Sequence, residues 1–173
     1  IWRIVVEPQQ PADGIFHMWL PVAEFLTGDV YFLQSNPDNT ITEPGNTSDP
    51  MTVASYNGAD KSIAIDSGRG YTRGGRLKPE FAAPGVDVTG AVSRGQFTKR
   101  TGSSIATGIT AGATALLFEW IVYQLGRTNI DSIQLKNLMI LGTERKDTEV
   151  YPNRSWGYGS LNLYNTFEQL RTF

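Results

Sequence analysis

The feature that most constrains this chain is a stretch rich in Ala, Gly, Ile and Leu, which runs from residue 104 to about residue 126. Its apolar residues recur at helical spacing but lie on every side of the helix, so the pattern predicts a buried helix. Gly126 is placed to end it. Because a helix of this kind needs neighbours on all sides, the chain is expected to fold as a layered domain around it.

Short β-branched runs precede this helix in the sequence. Residues 51–56, 62–65 and 86–92 have the length and composition of strands, and a fourth strand is predicted through Phe97 and Thr98. Strands that lead into a buried helix indicate an α/β layer structure.

Two further helices are predicted after the buried one. The first is amphipathic and spans residues 132–141, with Asp131 or Ser132 able to cap it and Gly142 able to end it. The second begins near Asn162.

The first 34 residues have a different character. Residues 1–6 and 14–20 are β-prone runs separated by a loop rich in Pro and Asp-Gly, which favours an antiparallel hairpin. A polar segment rich in Asn, Asp, Pro and Gly follows from residue 34 to residue 49. We therefore predict two parts, residues 1–34 and residues 35–173.

Composition excludes several classes of function. With 173 residues and a net charge of −2, the chain has no basic surface typical of nucleic-acid or membrane binding. Its best apolar run, residues 113–125, contains Glu119 and Gln124 and falls short of a membrane span. Cysteine is absent, so catalysis would use an oxygen nucleophile.

The candidate nucleophile is Ser104, placed where the last strand turns into the buried helix. Unpaired N–H groups at a helix start favour a developing anion, so the Ser104 N–H can serve as an oxyanion donor. Gly102 lets the backbone come close to a substrate. On position alone, a serine here is also the ordinary choice for a helix cap.

Two motifs decide between these interpretations. KPEFAAPGV at residues 78–86, followed by GSSIA at residues 102–106, resembles the paired motifs of the subtilisin-like serine peptidases (subtilases). Residues 51–56 resemble the preceding strand of that family, and WGYGSLN at residues 156–162 resembles its closing segment. Ser103 replaces the usual Thr, and Gly108 stands where a Pro is usual, but neither change removes the nucleophile.

Finer features are similar to the clostridial germination-type subtilases, bacterial proteins in which a β-jelly-roll module interrupts the catalytic domain. These are DSGRGYTR at residues 66–73 and YPN at residues 151–153 with Trp156. The resemblance implies the C-terminal part of a doubly wound, mainly parallel α/β sheet with helices, preceded by a hairpin from the jelly-roll insertion.

The resemblance also implies a substrate pocket. TITEPGN at residues 40–46 resembles the segment whose tight cis-proline turn lines the pocket for the residue before the scissile bond. We therefore expect a cis Glu43-Pro44 bond and a positive φ at Gly45. The pocket would comprise Thr42, Glu43, Pro44, Gly45, Gly102 and Ser103. Glu43 at its rim would favour basic side chains, although a solvent-facing Glu43 is an equal alternative.

Subtilases use Asp, His and Ser in chain order, with an Asn completing the oxyanion hole. The Asp, the His and the Asn are expected upstream of this chain. The one histidine, His17, lacks the family context and is interpreted as structural. We predict that the chain alone is inactive, because the catalytic Asp and His would come from the upstream part of the same protein. We also predict that it binds no metal and no cofactor. Its truncated sheet would favour self-association.

The leading hypothesis is a serine endopeptidase that cleaves peptide or protein substrates. The family resemblance implies that this enzyme is secreted or associated with the spore or cell envelope. The alternative is a pseudoprotease that acts in binding or signalling. A third hypothesis, a jelly-roll module for carbohydrate binding or adhesion, is supported only by Trp2, Trp19 and nearby aromatic residues. The glycine-rich basic loop at residues 68–79 is either a surface turn or lies near the substrate.

Overall fold

The computed structural model describes residues 2–10, 14–21 and 25–171. The chain divides into two compact units, residues 1–36 and residues 37–173. The predicted helices form almost where the sequence placed them. They are α1 (Ser103–Gln124), α2 (Ser132–Leu141) and α3 (Leu163–Arg171).

Four strands precede the helices in the described part of the second unit: β1 (Val53–Asn57), β2 (Phe81–Val86), β3 (Val88–Val92) and β4 (Gln96–Arg100). β1 and β2 pair in parallel, with Val53 opposite Phe81, and β3 and β4 form an antiparallel hairpin. Mixed α/β structure with a parallel sheet and helices is therefore confirmed. The predicted strand at residues 62–65 is not formed, since Ile63 makes only a single bridge to Tyr56.

The core forms where α1 and α2 meet the parallel sheet. Phe81, Leu117 and Met139 are fully buried there, and Ala113 and Ile121 complete the cluster. A second cluster combines Ala54, Tyr56, Ala82 and Trp156. Both clusters include residues at the amino end of β2, Phe81 in the first and Ala82 in the second.

Helix α1 is buried along one stripe and not all round, contrary to the prediction. Ala106, Thr110, Ala113, Leu117 and Ile121 face the sheet, whereas Leu116, Phe118 and Tyr123 are exposed. Within the described residues, α1 packs mainly against β1 and β2, and less against α2 and α3, so its remaining surface faces solvent. By length and composition α1 could cross a membrane, but so could core helices of soluble proteins, and its buried stripe contacts β1 and β2.

The helix ends follow local chemistry. Asp131 accepts a hydrogen bond from the Gln134 N–H at 2.8 Å, and the Gln134 side chain accepts one from the Asp131 N–H at 3.1 Å, which completes a capping box. Gly126 follows α1 at a φ of +62°, the left-handed conformation that glycine adopts without strain. These caps explain why the predicted ends were accurate.

The hairpin predicted in residues 1–20 is wrong for the described residues, which contain no strand before β1. Residue 1 of its first strand and residues 11–13 of its loop lie outside the described residues. An isolated two-stranded hairpin is marginally stable unless one face is covered. Here Trp2 and Ile15 are 99% and 88% exposed, so no burial stabilises such a ladder.

Candidate active site

The turn between β4 and α1 presents the candidate nucleophile. Gly102 adopts a φ of +150°, and its N–H donates a hydrogen bond to the Gly85 carbonyl at 2.8 Å. The Gly102 carbonyl in turn accepts from the Ile105 N–H at 3.0 Å. The turn is therefore fixed at one side to the end of β2 and at the other to the first turn of α1.

Glycine is required at position 85 because the backbone of the turn at Gly102 packs directly on it. An added Cβ would lie 2.8 Å from the Gly102 carbonyl oxygen and 3.1 Å from Ala106 Cβ, and would overlap Ser55 Oγ. The Ser55 hydroxyl is buried and is the one described buried side-chain polar atom without a hydrogen-bond partner. This close approach explains the glycine of the KPEFAAPGV motif.

Ser104 is the second residue of α1, and its side chain is exposed. In the described part of the chain its N–H donates to no carbonyl, as expected for the first turn of a helix. An exposed hydroxyl beside a free N–H at a helix start can attack a carbonyl and then stabilise the oxyanion. A base must still activate the hydroxyl.

The chain's one histidine, His17, belongs to the first unit. Its ring stacks on Trp19 with the ring centroids 5.5 Å apart. Across residues 2–10, 14–21 and 25–171, the His, Asp and Glu side chains form no cluster able to hold a metal ion.

The predicted pocket loop lies at the surface, with Thr42, Glu43 and Pro44 exposed. The Glu43-Pro44 bond is cis, which confirms that prediction. The expected positive φ at Gly45 is wrong, since Gly45 is absent from the residues with positive φ. Gly45 is instead closely packed: an added Cβ would lie 3.1 Å from both the Thr42 carbonyl oxygen and Thr52 Cγ2, so these neighbours would have to shift.

A buried charge network that the sequence did not suggest holds this loop. Lys78 Nζ donates to Glu80 Oε1 at 2.7 Å, and Glu80 Oε2 accepts from the Thr52 N–H at 2.7 Å. The Thr52 hydroxyl then donates to the Gly45 carbonyl at 2.6 Å. Lys136 from α2 approaches Glu80 at 3.6 Å. The loop is therefore anchored at the amino end of β1.

The structure joins some of the predicted site residues directly. Gly102, Ser103 and Ser104 are consecutive at the start of α1, near the carboxyl end of β2. The loop with Glu43 is anchored at the opposite end of the neighbouring strand. Its role as a substrate pocket stays a prediction. The basic loop at residues 68–79 contacts the polar segment before β1, where the Arg76 guanidinium donates to the Asn46 carbonyl at 3.4 Å.

Comparison with known proteins gives consistent results. The solved CspB protease of Clostridium perfringens matches with a TM-score of 0.76 and 33% identity, over 82% of this chain and 31% of that protein. Serine protease AprX of Bacillus subtilis is 29% identical over an alignment of 154 residues, gaps included, that covers 76% of this chain and 33% of AprX. C5a peptidase of Streptococcus pyogenes is 31% identical over 98 residues, which is 57% of this chain and 8% of that protein.

The chain thus spans a third or less of the length of each of these relatives. The similarity to CspB confirms the predicted likeness to the clostridial branch. The model of the subtilase family matches residues 27–159, well over half of the sequence. The chain therefore belongs to the subtilase family.

Proposed function

We propose that the protein containing this chain is a serine endopeptidase whose nucleophile is Ser104. The hydroxyl attacks a peptide carbonyl, its proton passes to a base, and the amine leaves from the tetrahedral intermediate to give an acyl-enzyme that water hydrolyses. The observation that carries this proposal is the exposed Ser104 on a turn held by the bond between Gly102 and Gly85. The relatives described above are named as proteases or peptidases.

The remaining catalytic groups are proposed to come from an upstream part of the same protein. Family members place Asp, His and the oxyanion Asn before the serine, and this chain covers only 31% of CspB. The Ser104 N–H would be one oxyanion donor and the upstream Asn the other. Gly102 and Ser103 would border the substrate, with residues 42–45 lining the pocket for the side chain before the scissile bond.

The exposed face of α1 is the proposed contact for that upstream part. This face has small residues at helical spacing, namely Gly108, Ala111, Gly112 and Ala115, all exposed. Small residues allow another backbone to approach closely, and the neighbouring Leu116, 56% exposed, would be buried by such a contact. Following the family, we also propose a secreted or envelope-associated protein.

The test is Ser104→Ala in the full-length protein, assayed for peptide hydrolysis and for labelling by a fluorophosphonate. We expect a loss on the order of 10⁴- to 10⁶-fold in turnover and complete loss of label, because removing the nucleophile disables the triad. Ser93→Ala, which changes an exposed serine in the turn between β3 and β4, should keep both activities.

Three outcomes separate the hypotheses. Unchanged hydrolysis by Ser104→Ala would show that another residue is the nucleophile. A full-length protein that neither cleaves peptides nor takes the label would favour the pseudoprotease. Ser104-dependent cleavage by the 173-residue chain itself would show that no upstream base is needed.

A further inference from the structure

A cavity of about 730 Å³ opens on the second unit, and none of the residues proposed for catalysis lines it. It is built from four segments that are distant in sequence, around residues 38, 61–63, 69–71 and 149–156. Its volume falls within the usual range for ligand sites, about 300–1,000 Å³. The lining residues that matter most are Asp38, Lys61, Arg69, Tyr71, Arg154 and Trp156.

The carboxylates of this cavity already have partners. Asp38 accepts a hydrogen bond from the Arg154 guanidinium at 2.9 Å, and Arg154 also lies over the Tyr71 ring, 5.1 Å from its centroid. Glu149 accepts from the Asn153 side-chain amide at 3.2 Å.

Asp60, beside the cavity, is likewise engaged. It accepts from the Ser62 hydroxyl at 2.6 Å and from the Ser62 N–H at 2.9 Å. The hydrogen bond from the Ser62 hydroxyl holds the pKa of Asp60 below its ordinary value, and the positive charge of Lys146 adds to the effect. Asp60 is therefore ionised at neutral pH and held by its own turn.

Two cations lining the cavity have no anionic partner among the described residues. The Lys61 ammonium lies 5.4 Å from the centroid of the Tyr56 ring and forms no ion pair there. Arg69 is half-buried and is held through its main chain, since its N–H donates to the Thr40 hydroxyl at 2.9 Å. Its guanidinium forms no hydrogen bond or ion pair in the described part of the chain.

We propose that this cavity binds an acidic segment of a peptide chain, with Lys61 and Arg69 pairing its carboxylates. The cations come from two different loops, and the cavity is much larger than a single small anion requires. A row of carboxylates along an extended peptide can reach both loops at once. Ser155, which also lines the cavity, can hydrogen-bond the peptide backbone.

The proposal is tested with fluorescein-labelled hexaglutamate, whose binding to the 173-residue chain is followed by fluorescence anisotropy at low ionic strength. Labelled hexaglutamine serves as the neutral probe. The double variant Lys61→Gln, Arg69→Gln should weaken hexaglutamate binding at least tenfold, because each charge-assisted bond contributes on the order of a factor of ten. Circular dichroism checks that the variant is folded.

The matched control is Lys99→Gln, Arg100→Gln, which removes the same charge from the exposed strand β4. This control should bind hexaglutamate as the unaltered chain does. Equal weakening by both double variants would show a general charge effect and overturn the proposal. So would binding of hexaglutamine as tight as hexaglutamate, or full displacement of the peptide by equimolar inorganic phosphate, which would identify a small-anion site instead.

Discussion

Two glycines in α1, Gly108 and Gly112, offer a quantitative test of the exposed small-residue face of this helix. A Cβ added to Gly108 or to Gly112 would meet no atom within 4 Å, so alanine fits at both positions. Glycine inside a helix is about 0.8–1.0 kcal/mol less favourable than alanine. The double variant Gly108→Ala, Gly112→Ala should therefore stabilise this chain by about 2 kcal/mol.

For a chain of this size, about 2 kcal/mol corresponds to a rise in Tm of about 4–8 °C. The measurement is thermal unfolding followed by circular dichroism at two protein concentrations. Gly142→Ala is the control that should lower the Tm, because its added Cβ would overlap Thr166 Oγ1 and lie 2.5 Å from Thr166 N. Alanine is thus expected to raise the Tm at the two open helix positions and to lower it at the closely packed helix end.

An unchanged or lower Tm for the Gly108→Ala, Gly112→Ala variant would refute this reasoning. That result would mean that the small-residue face of α1 is already covered, and a Tm that rises with protein concentration would identify self-association as the cause. In the full-length protein the same variant should instead lose stability, because the proposed upstream part would contact this face.

Two further predictions concern charges. Lys78→Met should destabilise the second unit by about 3 kcal/mol in urea unfolding, because the buried Glu80 loses its ion pair at 2.7 Å and keeps only the Thr52 N–H and the more distant Lys136 among its described partners. Arg171→Met, at an exposed ion pair, should cost under about 1 kcal/mol. A similarly small loss of stability for Lys78→Met and Arg171→Met would show that the buried network does not stabilise the fold. In the full-length protein, Glu43→Gln should reduce cleavage of Arg peptides relative to Leu peptides, and an unchanged ratio would place Glu43 outside the pocket.

The parts of the fold that were predictable from sequence are those fixed by local chemistry. The ends of α2 follow from Asp131 and Gly142, and the position of α1 follows from the turn at Gly102. The turn was also indicated by the KPEFAAPGV motif, because its Gly85 must accept close backbone packing.

The errors came from features that depend on distant parts of the molecule. A helix with apolar residues on every side is fully buried only if neighbouring elements cover every side. In this chain α1 is buried along a single stripe. Residues 62–65 have strand composition but only one bridge partner. The cavity with Lys61 and Arg69 was unpredictable for the same reason, since its walls come from four separate segments.

The turn between β4 and α1, which carries the proposed nucleophile, is held by contacts within this chain. The proposed catalytic site can therefore be completed without refolding this turn. Gly102 is held by the Gly85 carbonyl at 2.8 Å, and Ala106, the first residue of the buried stripe of α1, packs beside Gly85. Such a turn need not be reorganised when the upstream part supplies a base. Because preorganised donors stabilise an oxyanion without further rearrangement, the Ser104 N–H would need no repositioning when the proposed upstream histidine is in place. The proposed assembly therefore adds an activating base to a helix start that is already folded.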